Sequence, residues 1–235
     1  MYYGYGYGYG FDWTIILVFI GMVICLIAQA RVKSTYAKYK KVHSHSGLTA
    51  AMAAEKILHG AGIYDVQIQH ISGDLTDNYN PQTKILSLSD ATFRSDSVAA
   101  IGVAAHECGH AIQDYKEYAP LRIRGAIVPA VNIGASISWP LILIGVILGF
   151  FQPLISLGIF LFSFTVLFQL VTLPVEFDAS GRALKILGDT GMLYPEELSG
   201  AKSVLTAAAL TYVAAAASSI LQLLRLILLF GERRD

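Results

Sequence analysis

Residues 104–113 read AAHECGHAIQ, two histidines four positions apart with a glutamate directly after the first. An α-helix turns about 100° per residue, so His106 and His110 would project from one face, one turn apart. Two imidazoles so placed suit Zn²⁺, which takes tetrahedral nitrogen and oxygen ligands at about 2.0–2.1 Å. Glu107 would stand beside the ion rather than on it, where a general base can take a proton from a metal-activated water. This is the HExxH pattern, and its chemistry is metal-assisted hydrolysis. Cys108 and Gly109 face away from the ion in this geometry, so Cys108 reads as a small packing residue rather than a ligand.

Catalytic zinc usually has three protein ligands and a water. His43 and His45 lie in a basic, serine-containing linker, His59 at a helix end and His70 on an alternating segment. Each has a simpler reading than ligation. Glu176, in LPVEFDAS (173–180), is the better third ligand. It follows an apolar block directly, where an acid is expensive unless it has a partner, and a zinc ion is a sufficient one. Asp178 either orients a histidine from behind or caps and solvates. Arg182 pairs with Asp114, Asp178 or substrate, or lies on the surface. Candidates to polarise a substrate carbonyl are Tyr212, Asn132 and Tyr79.

Several elements must hold these groups. Residues 48–59 predict a short helix capped by Ser46 or Thr49 and ended by Gly60. Residues 64–71 alternate polar and apolar, as a half-buried strand does, and GDLTDNYNPQ (73–82) reads as a loop. Lys84, Ile85, Leu86, Ser87 and Leu88 alternate again. They read either as a structural hairpin strand with no substrate contact or as an edge strand above the metal, along which a substrate backbone lies. From about Ser95 the motif helix begins, with a small-residue, closely packed face over 97–105.

Only 14% of the residues are charged and 54% are hydrophobic, too apolar for an ordinary soluble domain. Residues 13–30 carry no charge and are about long enough to cross a bilayer. Basic residues follow this run rather than precede it, so it reads as an uncleaved anchor, not a signal peptide. The block 127–174 breaks at Phe150-Phe151-Gln152-Pro153 and predicts a transmembrane hairpin with an irregular or interfacial start at Pro129, Asn132, Ser136 and Ser138, anchored by Trp139. Residues 204–230 give a fourth span, in which Arg225 lies near the end and can snorkel. Of 17 Lys and Arg residues, 14 fall between Arg31 and Lys202. The positive-inside rule then places the polar segments, and the active site, in the cytoplasm. The Tyr/Gly tail (1–12) predicts disorder or an interfacial tyrosine belt. A formal net charge of zero argues against nucleic acid as a partner.

The residues resemble the YugP-like membrane zinc metallopeptidases of bacteria. The likeness runs through VKSTYAKY (32–39), the loop ending in YNP (79–81), VAAHECGHAIQ (103–113), YAPLRIR (118–124), VPAVNIG (128–134), SWPLIL (138–143), LFQLVTLPVEFDAS (167–180) and AALTYVAAA (208–216). It implies one Zn²⁺ per chain on His106 and His110, with Glu107 as base. Glu176 resembles the third ligand of glutamate zincins, among them the proteases that process prenylated membrane proteins. Those usually carry an acid four residues after the ligand. Here that position is Ser180, and the nearby acid is Asp178.

The expectation is a mainly α membrane protein with about four transmembrane helices and a small zincin-like α+β cytoplasmic portion. Its segments are the tail (1–12), an anchor (13–30), the portion with the HExxH helix (31–126), the hairpin (127–174), a cytoplasmic helical segment with the third ligand (175–203), a last span (204–230) and a tail (231–235). It would be a multi-pass cell-membrane endopeptidase acting on peptides or membrane proteins. The alternatives are a non-catalytic zinc scaffold and a hydrolase of non-peptide substrates. Oligomeric state is left open.

Overall fold

The computed structural model describes residues 12–231, so the predicted Tyr/Gly tail, apart from Asp12, and the C-terminal tail, apart from Gly231, lie outside the described residues. The first helix, α1 (Ile15–Tyr39), continues past the apolar anchor and carries Arg31 to Lys38. A short helix follows, α2 (Ala50–Gly60), whose Thr49 hydroxyl accepts from Met52 N at 3.3 Å. Next come β1 (Gln67–Ile71), β2 (Asn78–Asn80) and β3 (Ile85–Ser89), then the motif helix α3 (Val98–Tyr115), capped by Ser97. Three long helices complete the chain: α4 (Ala119–Ile147), α5 (Gln152–Asp189) and α6 (Pro195–Phe230).

Helices α1, α4, α5 and α6 are long and apolar enough to cross a membrane. Their outward faces expose Phe19, Leu26, Ile133, Leu143, Phe160, Leu170 and Ile227, a surface that suits lipid rather than water. Small residues let the helices approach closely. A Cβ on Gly21 would lie 2.7 Å from Ser218 Oγ, and one on Gly158 would lie 2.8 Å from Ser138 O. The hairpin between α4 and α5 turns where Gly149 (φ +78°) and Phe150 (φ +64°) enter the left-handed region.

Two contacts bring one set of helix ends together. Arg225 Nη2 meets Asp12 Oδ2 at 2.7 Å, and Gln152 Nε2 donates to Phe230 O at 2.8 Å. Arg225 therefore finds a carboxylate instead of snorkelling free. At the opposite end of the bundle lies a core of α2, β3 and α3 against the last turns of α5 and the first of α6. Leu58, Leu88, Ile101, Leu187 and Leu205 are buried in it. The small-residue face of α3 is fully enclosed: Ala99, Ala100, Ala104 and Ala105 are all inaccessible.

The sheet corrects one assignment. Its order is β1-β3-β2, with β1 parallel and β2 antiparallel to β3. Of the segment 84–88, residues Ile85 to Leu88 therefore belong to the central strand, not to an edge. Its backbone is engaged on both sides, and Lys84 itself precedes the strand at φ +55°. The edge on the α3 side is β2, three residues inside the stretch expected to be a loop. Two boundaries also differ. The start of the hairpin is not irregular, because α4 runs unbroken from Ala119 with Pro129 and Pro140 inside it. Likewise α5 continues through Pro174 to Asp189, so the segment after 174 is an extension of the same helix. Each internal proline deletes one backbone hydrogen bond, which neighbouring helices make tolerable in an apolar bundle.

Candidate metal centre

Helix α3 presents His106 and His110 on one face, ring centroids 4.7 Å apart and nearly perpendicular. Helix α5 crosses α3 at Gly109, where an added Cβ would stand 2.5 Å from Ala179 O. That contact, inside the motif, lets the two backbones touch. It brings Glu176, one turn before Ala179, up to the imidazoles. Glu176 Oε2 lies 3.3 Å from His106 Nε2 and 3.6 Å from His110 Nε2. One ligand atom from each of the three residues falls within 4.8 Å of the others. For bonds of about 2.0–2.1 Å, the edge of a tetrahedron is roughly 3.4 Å, so the spacing fits a shared zinc ion. Oε2 is buried without a hydrogen-bond partner, an arrangement that is costly unless a cation completes it. Its sister oxygen Oε1 accepts from Arg124 Nη1 at 3.2 Å. The two carboxylate oxygens thus have separate tasks: one held by α4, the other left to the cluster.

Each imidazole is fixed through its far nitrogen. With Nε2 turned to the cluster, His106 Nδ1–H donates to Ser180 Oγ at 3.1 Å, and His110 Nδ1–H donates to Gln113 Oε1 at 3.0 Å. Such partners set tautomer and ring orientation. Gln113 is fully buried, and its Nε2 donates to Val175 O and to Asp178 Oδ2, both at 2.8 Å. Asp178 thus reaches His110 through Gln113 and does not touch an imidazole. It is held in turn by Arg182, whose guanidinium lies over the Tyr118 ring. Burial works against a charged His110, but the Glu176 and Glu107 carboxylates outweigh it and raise its pKa above the ordinary histidine value.

Glu107 is buried yet faces a cavity of about 540 Å³ that it shares with His110, Glu176, Arg124 and Tyr212. Residues of β2 and its flanks, Asp77 to Gln82, line it as well. Two candidate donors are not available there. The Tyr79 hydroxyl donates to Asp114 Oδ2 at 2.8 Å, and burial together with that carboxylate raises its pKa far above the usual tyrosine range. Asn132 lies on an exposed face of α4, outside the cavity lining. Lys84 also binds Asp114, at 2.6 Å. Cys108 points the other way, toward Ala54 O, and burial keeps its thiol protonated.

The other histidines stay apart from the cluster. His43, His45 and His70 pair with Asp96, Glu197 and Asp90, and His59 stacks on Tyr64. Sequence reasoning missed three residues: Arg124, Gln113 and Ser180. Arg124 carried a usable signal, since a cation entering an apolar block needs a partner as much as Glu176 does.

Residues 14–231 match a protein family described as "putative neutral zinc metallopeptidase". The chain is 46% identical over 208 residues to the "putative membrane protease YugP" of Bacillus subtilis (strain 168), an alignment covering 88% of this chain and 92% of the relative. No solved structure matches.

Proposed function

This chain belongs to that family of zinc metallopeptidases, and from that premise we propose that it is a membrane-embedded, zinc-dependent endopeptidase. The observation that carries the reading is the buried Glu176 Oε2, without a hydrogen-bond partner between two oriented imidazoles, at the wall of a cavity that Glu107 also faces. His106, His110 and Glu176 would hold one Zn²⁺. When bound, the ion supplies Lewis acidity and makes water acidic enough to react near neutral pH.

The protein's own groups do the rest. The Glu107 carboxylate takes the proton from the attacking water and returns it to the leaving amine nitrogen. Among the donors that line the cavity, Tyr212 and Arg124 lie with Glu176 and Glu107, and we assign them to the developing charge on the carbonyl oxygen. The exposed edge of β2, Asn78 to Asn80, is where an extended substrate backbone would pair, the role expected of the segment one strand further in. A structural zinc would be closed by four protein ligands. A three-residue cluster, two of whose members, His110 and Glu176, line a cavity, favours catalysis over a scaffold, and a strand edge on that cavity favours peptides over other substrates. Substrates would be peptides or membrane proteins presented near the bilayer. The distribution of Lys and Arg supports a cytoplasmic site.

The test is a parallel purification of wild type, Glu107→Gln and Glu176→Ala in detergent. About one zinc per chain is expected in the first two and far less in the third, with peptide cleavage by wild type alone. Full cleavage by Glu107→Gln would sink the mechanism, and full zinc retention by Glu176→Ala would sink the ligand set.

A further inference from the structure

A second concave site, sharing no residue with the cavity at the metal centre, lies between α1 and α6. Arg31 and Lys38 on α1 face Ser199, Lys202, Ser203 and Thr206 on α6 across a groove of about 700 Å³. Both sets recur at helical spacing. Arg31 and Lys38 are seven residues apart, as are Ser199 and Thr206, so each helix turns one polar face to the other. Three cations and several hydroxyls converge, and no carboxylate lines the groove. Among the described residues none of these cations has an acidic partner.

The depth of the groove identifies its occupant. The apolar run of α1 ends at Ala30, one residue before Arg31, and that of α6 begins at Val204, directly after the groove residue Ser203. A bilayer spanned by these runs would place its phosphates level with Arg31, Lys202 and Ser203, with Lys38 about two turns further toward the water. The volume admits a whole headgroup rather than a single ion. We propose that this groove binds the phosphate of an anionic phospholipid headgroup and clamps α1 to α6.

The clamp backs onto the metal centre. Gly200 meets the Tyr39 ring, with an added Cβ 2.8 Å from its carbons, and Ala201 packs on Gly102 of α3, one turn before His106. A headgroup in the groove therefore braces the helix that carries the two histidines.

The experiment compares the full-length protein in nanodiscs of phosphatidylcholine alone and with phosphatidylglycerol added, read by thermal melting and by lipid retention in native mass spectrometry. The anionic lipid should raise the wild-type melting temperature and be retained. Retention should weaken about fivefold for each lysine lost in Lys38→Gln/Lys202→Gln. Lys33→Gln/Lys40→Gln removes the same charge from residues outside the groove, one on the opposite face of α1 and one at its C-cap, and should respond as wild type. An equal loss in that control would mean that only net charge matters and would overturn the site. So would an undiminished response in the groove variant, or reproduction of the stabilisation by inorganic phosphate in phosphatidylcholine discs.

Discussion

Replacing Gly109 with alanine tests how the fold builds the metal centre. The new methyl would sit 2.5 Å from Ala179 O and 3.0 Å from its carbonyl and α carbons. The closest of these is about 0.9 Å inside the 3.4 Å at which ordinary contact begins, and all three partners are backbone, so no side chain can swing away. Helices α3 and α5 must part by several tenths of an ångström. Overpacking of this kind costs about 1–3 kcal/mol. The same displacement carries Glu176 away from imidazoles that stand 3.3 and 3.6 Å from Oε2, whereas zinc bonds tolerate about 0.2 Å. Gly109→Ala should therefore lower the melting temperature of the metal-free protein in detergent and weaken zinc binding by at least tenfold in a chelator competition. Gly102→Ala is the matched control. Its methyl would meet the Ala201 Cβ at 3.3 Å, a mild crowding one turn from the cluster that should leave zinc affinity nearly unchanged. Wild-type zinc affinity in Gly109→Ala would refute the claim that this backbone contact sets the ligand spacing.

Gln113→Ala should reduce zinc affinity about 10–100-fold, as loss of a ligand's orienting partner does, and Ser180→Ala should do less because it breaks one bond instead of three. Arg124→Ala strands Glu176 Oε1 in a buried site; with the guanidinium partly exposed, about 2 kcal/mol of stability should be lost, with partial recovery in Arg124→Lys, measured by melting. Acidification should narrow the stability gap between zinc-loaded and metal-free protein. His110 has a raised pKa without metal, so the stability it adds to the metal-free fold is full below about 6.5 and fades as pH rises through the higher folded value, while zinc needs the neutral ring. Melting both forms between about pH 5.5 and 8 reads this directly; a gap that is constant over that range would count against imidazole ligation.

Much of this architecture was legible because it depends on local chemistry. Four apolar runs, a proline-marked hairpin and a pair of histidines one turn apart follow from hydropathy and helical periodicity. Glu176 was found by asking what an acid beside the membrane could be paired with. What stayed hidden depends on contacts between distant segments. Alternation over 84–88 identifies a strand but says nothing about pairing order, so it does not distinguish the central strand that the structure shows from an edge. The true edge is three residues long and buried in turn-forming sequence. Pro129, Pro140 and Pro174 suggest breaks to a reader of single segments, yet the bundle carries the helices through them. Gln113 and Ser180 acquire meaning only once Gly109 lets α5 touch α3, and Arg124 only once α4 lies beside Glu176.

The unbroken course of α5 has a mechanical corollary. Glu176 rides 24 positions from the helix start at Gln152, on a lever about 36 Å long whose other end sits by the α4–α5 turn. Pivoting such a rod by two degrees at its far end would swing the carboxylate by roughly 1.3 Å, several times the play a zinc bond allows. Thickening or thinning of the surrounding lipid, which rods of this kind answer by leaning, would reach the cluster unless something local pins it. The glycine notch in α3 is that pin, so the centre keeps its shape by gripping its neighbour rather than by trusting the bilayer to hold still.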